Sequence, residues 1–321
     1  MSFNIILKES AIPDGAPALC SFVCEQLFTE ASIYISADIH YSGFIKHKGE
    51  YAVMADLLFS VEEHIARITL NRPEFLNAFS EEMLCLWAQA LEQVRDDDDI
   101  CAAVVSGSGS AFCAGGDVKV MAQGGGFFAT SRDMTSTAYC RREAINRIVH
   151  RIPLLLEEID KPVIAKVHGA CTGAGMDMAL MCDIVIAGKS AKFCESYLNV
   201  GLIPGDGGVY YLTRKLGRQK ALDLIWTRRF LSGEEAQQMG LAAYCVADEE
   251  LDTFTDSYLK NLADGPQAAI RLTKRAARMS ERGSLADTLD YLASGMGIVS
   301  ELDNYKEQVQ ALAQRISSRQ K

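Results

Sequence analysis

No uninterrupted apolar run in the 321-residue chain reaches the roughly 18 residues of a membrane-spanning helix, so no membrane association is expected. Cysteine pairs at two-residue spacing are missing, as is any Cys/His run at zinc spacing (Cys20 and Cys24, three residues apart, stand alone). The ten cysteines therefore offer no metal site. Basic residues are in deficit, 32 against 42 acids, for a net charge of −10 and a pI near 5.1. So acidic a surface repels phosphate backbones, which argues against a nucleic-acid partner. Neither Gly-x-Gly-x-x-Gly nor the full Gly-x-x-x-x-Gly-Lys-Ser/Thr pattern occurs, which removes the dinucleotide and P-loop signatures. No repeat of 20–50 residues and no low-complexity tract is present. What remains is a globular mixture, 49% hydrophobic and 23% charged. Most cysteines lie in apolar segments such as Cys182-Asp-Ile-Val-Ile186, where thiols behave as small buried hydrophobes. Free core thiols fit a reducing compartment, and the expected location is the cytoplasm.

Residues 1–53 differ from the rest. They carry no arginine, their acids outnumber their lysines, and they lack the charged start, apolar centre and small-residue cleavage site of a secretory signal. They read as an extension of unknown role, whether an appended lobe, a partner-binding arm or an upstream start. The core then runs over 54–251 and a helical region over 252–321.

From Met54 onward the pattern is legible. Leu57–Val61 and Ile65–Leu70 flank a polar Glu62-Glu-His64 and predict a β-hairpin, with Ala66, Ile68 and Leu70 on one face. Ser80 predicts an N-cap, followed by Glu81 and Glu82 in the first turn. Met83, Trp87, Leu91 and Val94 then form one apolar stripe at helical spacing. Short apolar strands follow at Ala102–Val105, Lys161–Val167, Asp183–Ala187 and Ala191–Cys194. Helical segments at Arg141–Ile159, Gly175–Met181, Gly207–Leu216, Ala221–Thr227 and Gly233–Met239 lie between or after them. This alternation indicates an α/β fold with parallel pairing. Beyond residue 252 only helices are predicted: Phe254–Leu262, Pro266–Arg282, Leu285–Val299 and Asn304–Ser317.

Two small-residue bends each follow a strand and open a helix: Ser110-Ala-Phe-Cys-Ala-Gly-Gly-Asp117 and His168-Gly-Ala-Cys-Thr-Gly-Ala-Gly-Met-Asp177. Free N–H groups at such starts act as fixed partial positive charges. A pair of them is either ordinary tight turns or the apparatus for an oxyanion developing on a carbonyl.

Six segments together carry a family resemblance. Leu70-Asn-Arg-Pro-Glu-Phe-Leu-Asn-Ala78, Phe112-Cys-Ala-Gly-Gly-Asp117, Lys161-Pro-Val-Ile-Ala165, Gly173-Ala-Gly-Met-Asp-Met-Ala-Leu-Met-Cys-Asp183, Gly201-Leu-Ile-Pro-Gly-Asp-Gly-Gly208 and Leu231-Ser-Gly-Glu-Glu-Ala-Gln-Gln-Met-Gly-Leu241 resemble the crotonase superfamily of enoyl-CoA hydratases and isomerases. The resemblance spans Met54 to the C-terminus, where Ser300–Glu307 resembles the closing helix. It implies a crotonase-like ββα spiral with a helical trimerisation region, a homotrimer or dimer of trimers, and acyl-CoA thioesters as ligands. No cofactor is implied beyond the coenzyme A of the substrate itself. The oxyanion donors match Ala114 and Ala174, where the second is usually glycine. The CoA-binding positions match Phe75, Leu76, Ala78, Gly116, Asp117 and Val118. Asp117 is equally read as the N-cap of the next helix. Arg271, Lys274 and Arg275 either reach CoA phosphates or form a solvated helix face.

The departures decide the chemistry. The two hydratase glutamates correspond to Asp177 and Tyr197. Asp177 is one methylene shorter, and a tyrosine with an unperturbed pKa near 10 is no carboxylate base at pH 7. One carboxylate moving a proton between C2 and C4 suffices for double-bond isomerisation, the favoured reading. Water addition needs a second acid, either Glu195, on Tyr197's face if that segment is a strand, or Asp206, which alternatively caps the next helix. A catalytically silent CoA-binding protein is the other alternative. RNA binding is disfavoured because the helix over Ser80–Arg95 carries Glu81, Glu82 and Glu92 against the single base Arg95.

Overall fold

The computed structural model describes residues 55–123 and 138–319. The reading of the N-terminal extension, residues 1–53, falls outside the described residues.

The predicted hairpin is present, with β1 (Leu57–Glu62) antiparallel to β2 (Ile65–Leu70). Glu63 and His64 make the two-residue turn at φ 50° and 67°, both left-handed, which matches the twist of the flanking strands. Ala66, Ile68 and Leu70 all point inward and are fully buried. Helix α1 (Glu81–Asp96) starts at Ser80, whose hydroxyl accepts the Met83 N–H at 3.0 Å. Its stripe of Met83, Trp87, Leu91 and Val94 has no exposed surface.

Strands β3 (Ala102–Gly107), β4 (Val163–Val167), β6 (Ile184–Gly188) and β9 (Tyr244–Val246) extend β2 in parallel, giving a six-stranded sheet ordered β1-β2-β3-β4-β6-β9. A smaller sheet pairs β5 (Ala170–Thr172) with β7 (Lys192–Cys194) and β8 (Leu231–Ser232). β5, β8 and β9 went unpredicted because two or three residues carry no readable alternation. Without the small sheet, however, the second bend would have no platform.

The helix predicted over Arg141–Ile159 is interrupted. It resolves into α3 (Ala138–Ala144), a π-turn (Ile145–Val149) and α4 (Arg151–Glu158). Pro153 is the cause: it has no N–H for the Val149 carbonyl, so it is tolerated only in the first turn of a fresh helix. After β5 comes α5 (Ala174–Met181). Then α6 (Gly208–Leu216), α7 (Arg218–Thr227) and α8 (Gly233–Met239) appear close to their predicted bounds.

The C-terminal region is helical: α9 (Leu251–Ala263), α10 (Gln267–Ser280), α11 (Leu285–Glu301) and α12 (Asp303–Arg319). The basic residues Arg271, Lys274 and Arg275 of α10 are engaged in ion pairs, Arg275 while remaining exposed. Arg271 pairs with Asp160 at 2.7 Å, Arg275 pairs with the same carboxylate, and Lys274 pairs with Asp183 at 2.5 Å. Arg278 donates to the carbonyls of Leu156, Glu157 and Ile159 at 2.6 to 3.0 Å, closing the C-terminus of α4. Buried Lys161 does the same for α1 through Val94 and Asp97. By contrast, α11 and α12 leave Leu285, Leu289, Met296, Ile298, Leu312 and Ile316 at least half exposed. Among the described residues, no helix is long and apolar enough to cross a membrane.

Candidate active site

The two bends lie side by side. Cys113 donates to the Ala170 carbonyl at 2.9 Å, and the Thr172 N–H returns to the Cys113 carbonyl at 3.0 Å. Gly175 is obligatory here, because a Cβ would run into the Cys113 carbonyl. Gly115 and Gly173 take φ of 85° and 52°, turning the backbone back on itself at each bend. The Ala174 N–H, first in α5, has no intrahelical acceptor and no acceptor among the described residues.

Ala114 differs from its expectation as a free donor: its N–H donates to the Leu76 carbonyl at 2.9 Å. Leu76 and Asn77 are both left-handed, at φ 51° and 56°. That conformation suits Asn and is costly for Leu. Asn77 explains why it persists. Fully buried, it accepts the Arg72 N–H at 2.8 Å and donates to Ser108 and Ala111 carbonyls at 2.9 and 2.8 Å. Sequence reading quoted Asn77 only as part of a motif and missed this role.

Of the segment expected to meet CoA, Phe75 and Leu76 are exposed, whereas Ala78 is buried and lends its carbonyl to Arg72 at 2.6 Å. Asp117 caps α2 (Val118–Ala122) by accepting the Lys119 and Val120 N–H groups at 3.1 and 3.2 Å, which is the capping alternative. Gly116 pairs with Phe79 in an isolated bridge, and Val118 is exposed beside it.

Asp177, Glu195, Tyr197 and Asp206 form one buried cluster. The Tyr197 hydroxyl lies 2.9 Å from Asp177 Oδ2 and 2.8 Å from Asp206 Oδ2. A phenol has one hydrogen and can serve only one of these oxygens. The other short contact therefore carries a carboxyl proton. Asp206 does not cap α6, whose N-cap is Gly207 at φ 119° with no side-chain bond. Glu195 and Tyr197 also fail to share a strand face, since β7 stops at Cys194 and a 3-10 turn begins at Tyr197. Glu195 reaches Asp177 nonetheless, across Gly208 at the start of α6. His150, which the sequence did not single out, donates to the Gly205 carbonyl at 2.8 Å and holds the turn that carries Asp206.

Burial dominates the electrostatics. It pushes Asp177 up to about 6, with the neighbouring Asp206 adding to the rise and hydrogen bonds to Glu195 and Tyr197 opposing it. Burial also raises Asp206, against the pull of Tyr197 and His150. Glu195 is pushed up as well, through burial and then the charge of Asp177. Tyr197 is driven upward by burial and by both aspartates, so its phenol stays protonated. Cys113 and Cys182 are pushed up to about 12 by burial and are not nucleophiles. Among the described residues, no group of three His, Cys, Asp or Glu is placed to hold a metal ion.

A stability consequence follows from these raised acids. Each binds a proton more tightly folded than unfolded, so its contribution is complete below the ordinary carboxylate range and declines as pH rises toward the folded value. The stability of wild type should therefore fall relative to Glu195→Gln between pH 5 and 8, by up to about 1.4 kcal/mol per pH unit. Chemical denaturation of both proteins across that range measures it; parallel curves would show that Glu195 ionises freely in the folded chain.

A cavity of about 640 Å³ opens between α5, α6 and α10, lined by Leu180, Met181, Tyr211, Lys274 and Arg278 among others. It holds none of the four cluster residues. Met181 and Tyr211, which line it, also pack against Gly207 beside the cluster.

A mostly parallel sheet with two glycine bends beside it, the second leading into the helix that carries buried Asp177, defines an α/β protein. The profile of the enoyl-CoA hydratase/isomerase family matches residues 60–314, and the chain belongs to that family. It is 35% identical over 264 residues to a 1,2-epoxyphenylacetyl-CoA isomerase of Escherichia coli K12, covering 82% of this chain and 97% of that one. A 2,3-dehydroadipyl-CoA hydratase of the same organism is 28% identical over 262 residues, with the same coverage. Among solved structures, an enoyl-CoA hydratase from Mycobacterium smegmatis superposes with a TM-score of 0.73 at 30% identity, over 82% of this chain and 97% of that chain. One from Streptomyces coelicolor A3(2), a putative enoyl-CoA hydratase by its own description, gives 0.74 at 27%, over 86% and 96%.

Proposed function

We propose that the protein isomerises the double bond of an enoyl-CoA thioester. Asp177 removes a proton from C2 of a 3-enoyl thioester, and the electron pair shifts through the carbonyl to give a dienolate oxyanion. The Ala174 N–H meets that oxygen, joined by Ala114 once the ligand oxygen replaces Leu76. Return of the proton to C4 leaves the double bond between C2 and C3, with no atom gained or lost.

One observation carries the preference over hydration. Adding water requires a water molecule held between two acids, and the Tyr197 hydroxyl stands between Asp177 and Asp206 at 2.9 and 2.8 Å. The space is taken by a phenol that is not consumed. Asp206 and Glu195 support the hydratase alternative, since either supplies a second carboxyl near Asp177.

Trans-3-hexenoyl-CoA separates the readings. Isomerisation produces the conjugated enoyl absorbance; supplying trans-2-hexenoyl-CoA instead leaves it almost intact. Rapid loss of that absorbance with formation of the 3-hydroxy thioester would make the enzyme a hydratase. Tight thioester binding in calorimetry without turnover would make it a silent CoA-binding protein. The exposed apolar residues of α11 and α12 support assembly as a homotrimer or dimer of trimers.

A further inference from the structure

We propose that Glu195 is a positioning residue that stays protonated at neutral pH and donates its carboxyl O–H to Asp177 Oδ1, keeping Asp177 ionised and aimed; the inference rests on Asp177 being the proton carrier. The geometry starts at Gly208. A Cβ built there would fall 2.7 Å from Glu195 Oε1 and would collide with Asp177 Oδ1, so both carboxyl groups crowd the same glycine. Both residues are at most 2% exposed. Neither Glu195 oxygen nor Asp177 Oδ1 meets a well-aligned N–H or O–H donor among the described residues.

Two ionised carboxylates cannot share so dry a place, whereas one proton between them satisfies the facing oxygens. Asp177 is the better seat for the charge. Its Oδ2 already has the Tyr197 hydroxyl at 2.9 Å, and the N-terminus of α6 lies against its Oδ1 at Gly208. Glu195 has no such support and keeps the proton. Donation then runs from Asp206 through Tyr197 to Asp177 on one side and from Glu195 to Asp177 on the other. The remaining titratable neighbours are Cys171 and Cys194 near Glu195, and His150 facing Asp206. None supplies a closer proton to Asp177 Oδ1.

The test compares Glu195→Gln, which keeps an N–H donor, with Glu195→Leu, which has none, using Asp177→Asn as reference and trans-3-hexenoyl-CoA as substrate. E195L should lose about 100-fold in kcat with its acid limb moved to higher pH, while E195Q recovers at least about a tenth of wild-type kcat with the limb in place. An E195Q enzyme as inactive as D177N would mean that Glu195 itself transfers the proton, and the inference falls. Infrared spectra at pH 7 read the proton without turnover. Glu195 and Asp206 each contribute a protonated-carboxyl band; one should vanish in E195Q, leaving that of Asp206, while both persist in D177N. An undiminished signal in E195Q overturns the inference even if E195L does not fold. Full activity in D177N instead overturns the parent reading, and the infrared comparison keeps the two failures apart.

Discussion

Asp177→Asn should lower kcat/KM for a 3-enoyl-CoA by about 10³-fold, some 4 kcal/mol of transition-state stabilisation. The amide keeps the shape of the side chain and still accepts from Tyr197, but it can no longer take a proton from C2. Stability should not suffer. Asp177 is fully buried with its pKa pushed up to about 6, so its neutral replacement removes a charge the fold disfavours above that pH. A thermal melt at pH 7.5 no lower than wild type, together with lost turnover, separates chemistry from folding. Activity above a tenth of wild type would exclude Asp177 as the proton carrier. The same group sets the wild-type pH profile: kcat/KM should fall below about pH 6 as Asp177 takes up its proton.

Gly208→Ala should be the most damaging small change outside the carboxyls. Helix propensity favours alanine by about 1 kcal/mol at an interior position, and Gly208 is not among the left-handed glycines. Packing decides the other way. The added methyl collides with Asp177 Oδ1 and sits 2.7 Å from Glu195 Oε1 and 2.9 Å from Asp177 Cγ. Overpacking of this kind costs about 1–3 kcal/mol, which equals or exceeds the propensity gain. Displacing the reactive carboxyl by an ångström costs about 10² in rate. Denaturation and kcat/KM measured together check both; a more stable, fully active variant would show that the carboxyls do not meet at this glycine.

How much of this was legible in the sequence depends on what carried the signal. The hairpin, α1 and the parallel strands announced themselves through period and caps, because burial of Ile68, Leu70, Met83 and Trp87 is a one-dimensional pattern. The tiny strands β5 and β8 were invisible: their pairing partners lie far along the chain, and two or three residues have no period. At the site, the identities of Asp177, Tyr197 and Asp206 were readable, but their meeting was not. It needs the left-handed Gly207 and the bare Cα of Gly208 to bring the start of α6 against α5. The same holds for Arg278 and Lys161. A cation looks solvated in the sequence until the carbonyls it closes are found 119 to 122 residues away for Arg278, and 64 and 67 for Lys161.

The kink at Leu76 and Asn77 has one more consequence. The Leu76 carbonyl acts as a resident competitor on the Ala114 amide, so any incoming oxygen must displace it before gaining that bond. In the isomerisation proposed above, a neutral thioester carbonyl would exchange like for like and gain little, whereas an enolate oxygen, carrying negative charge, would displace it. The stopper would then weaken the grip on resting substrate and spare the fleeting anion.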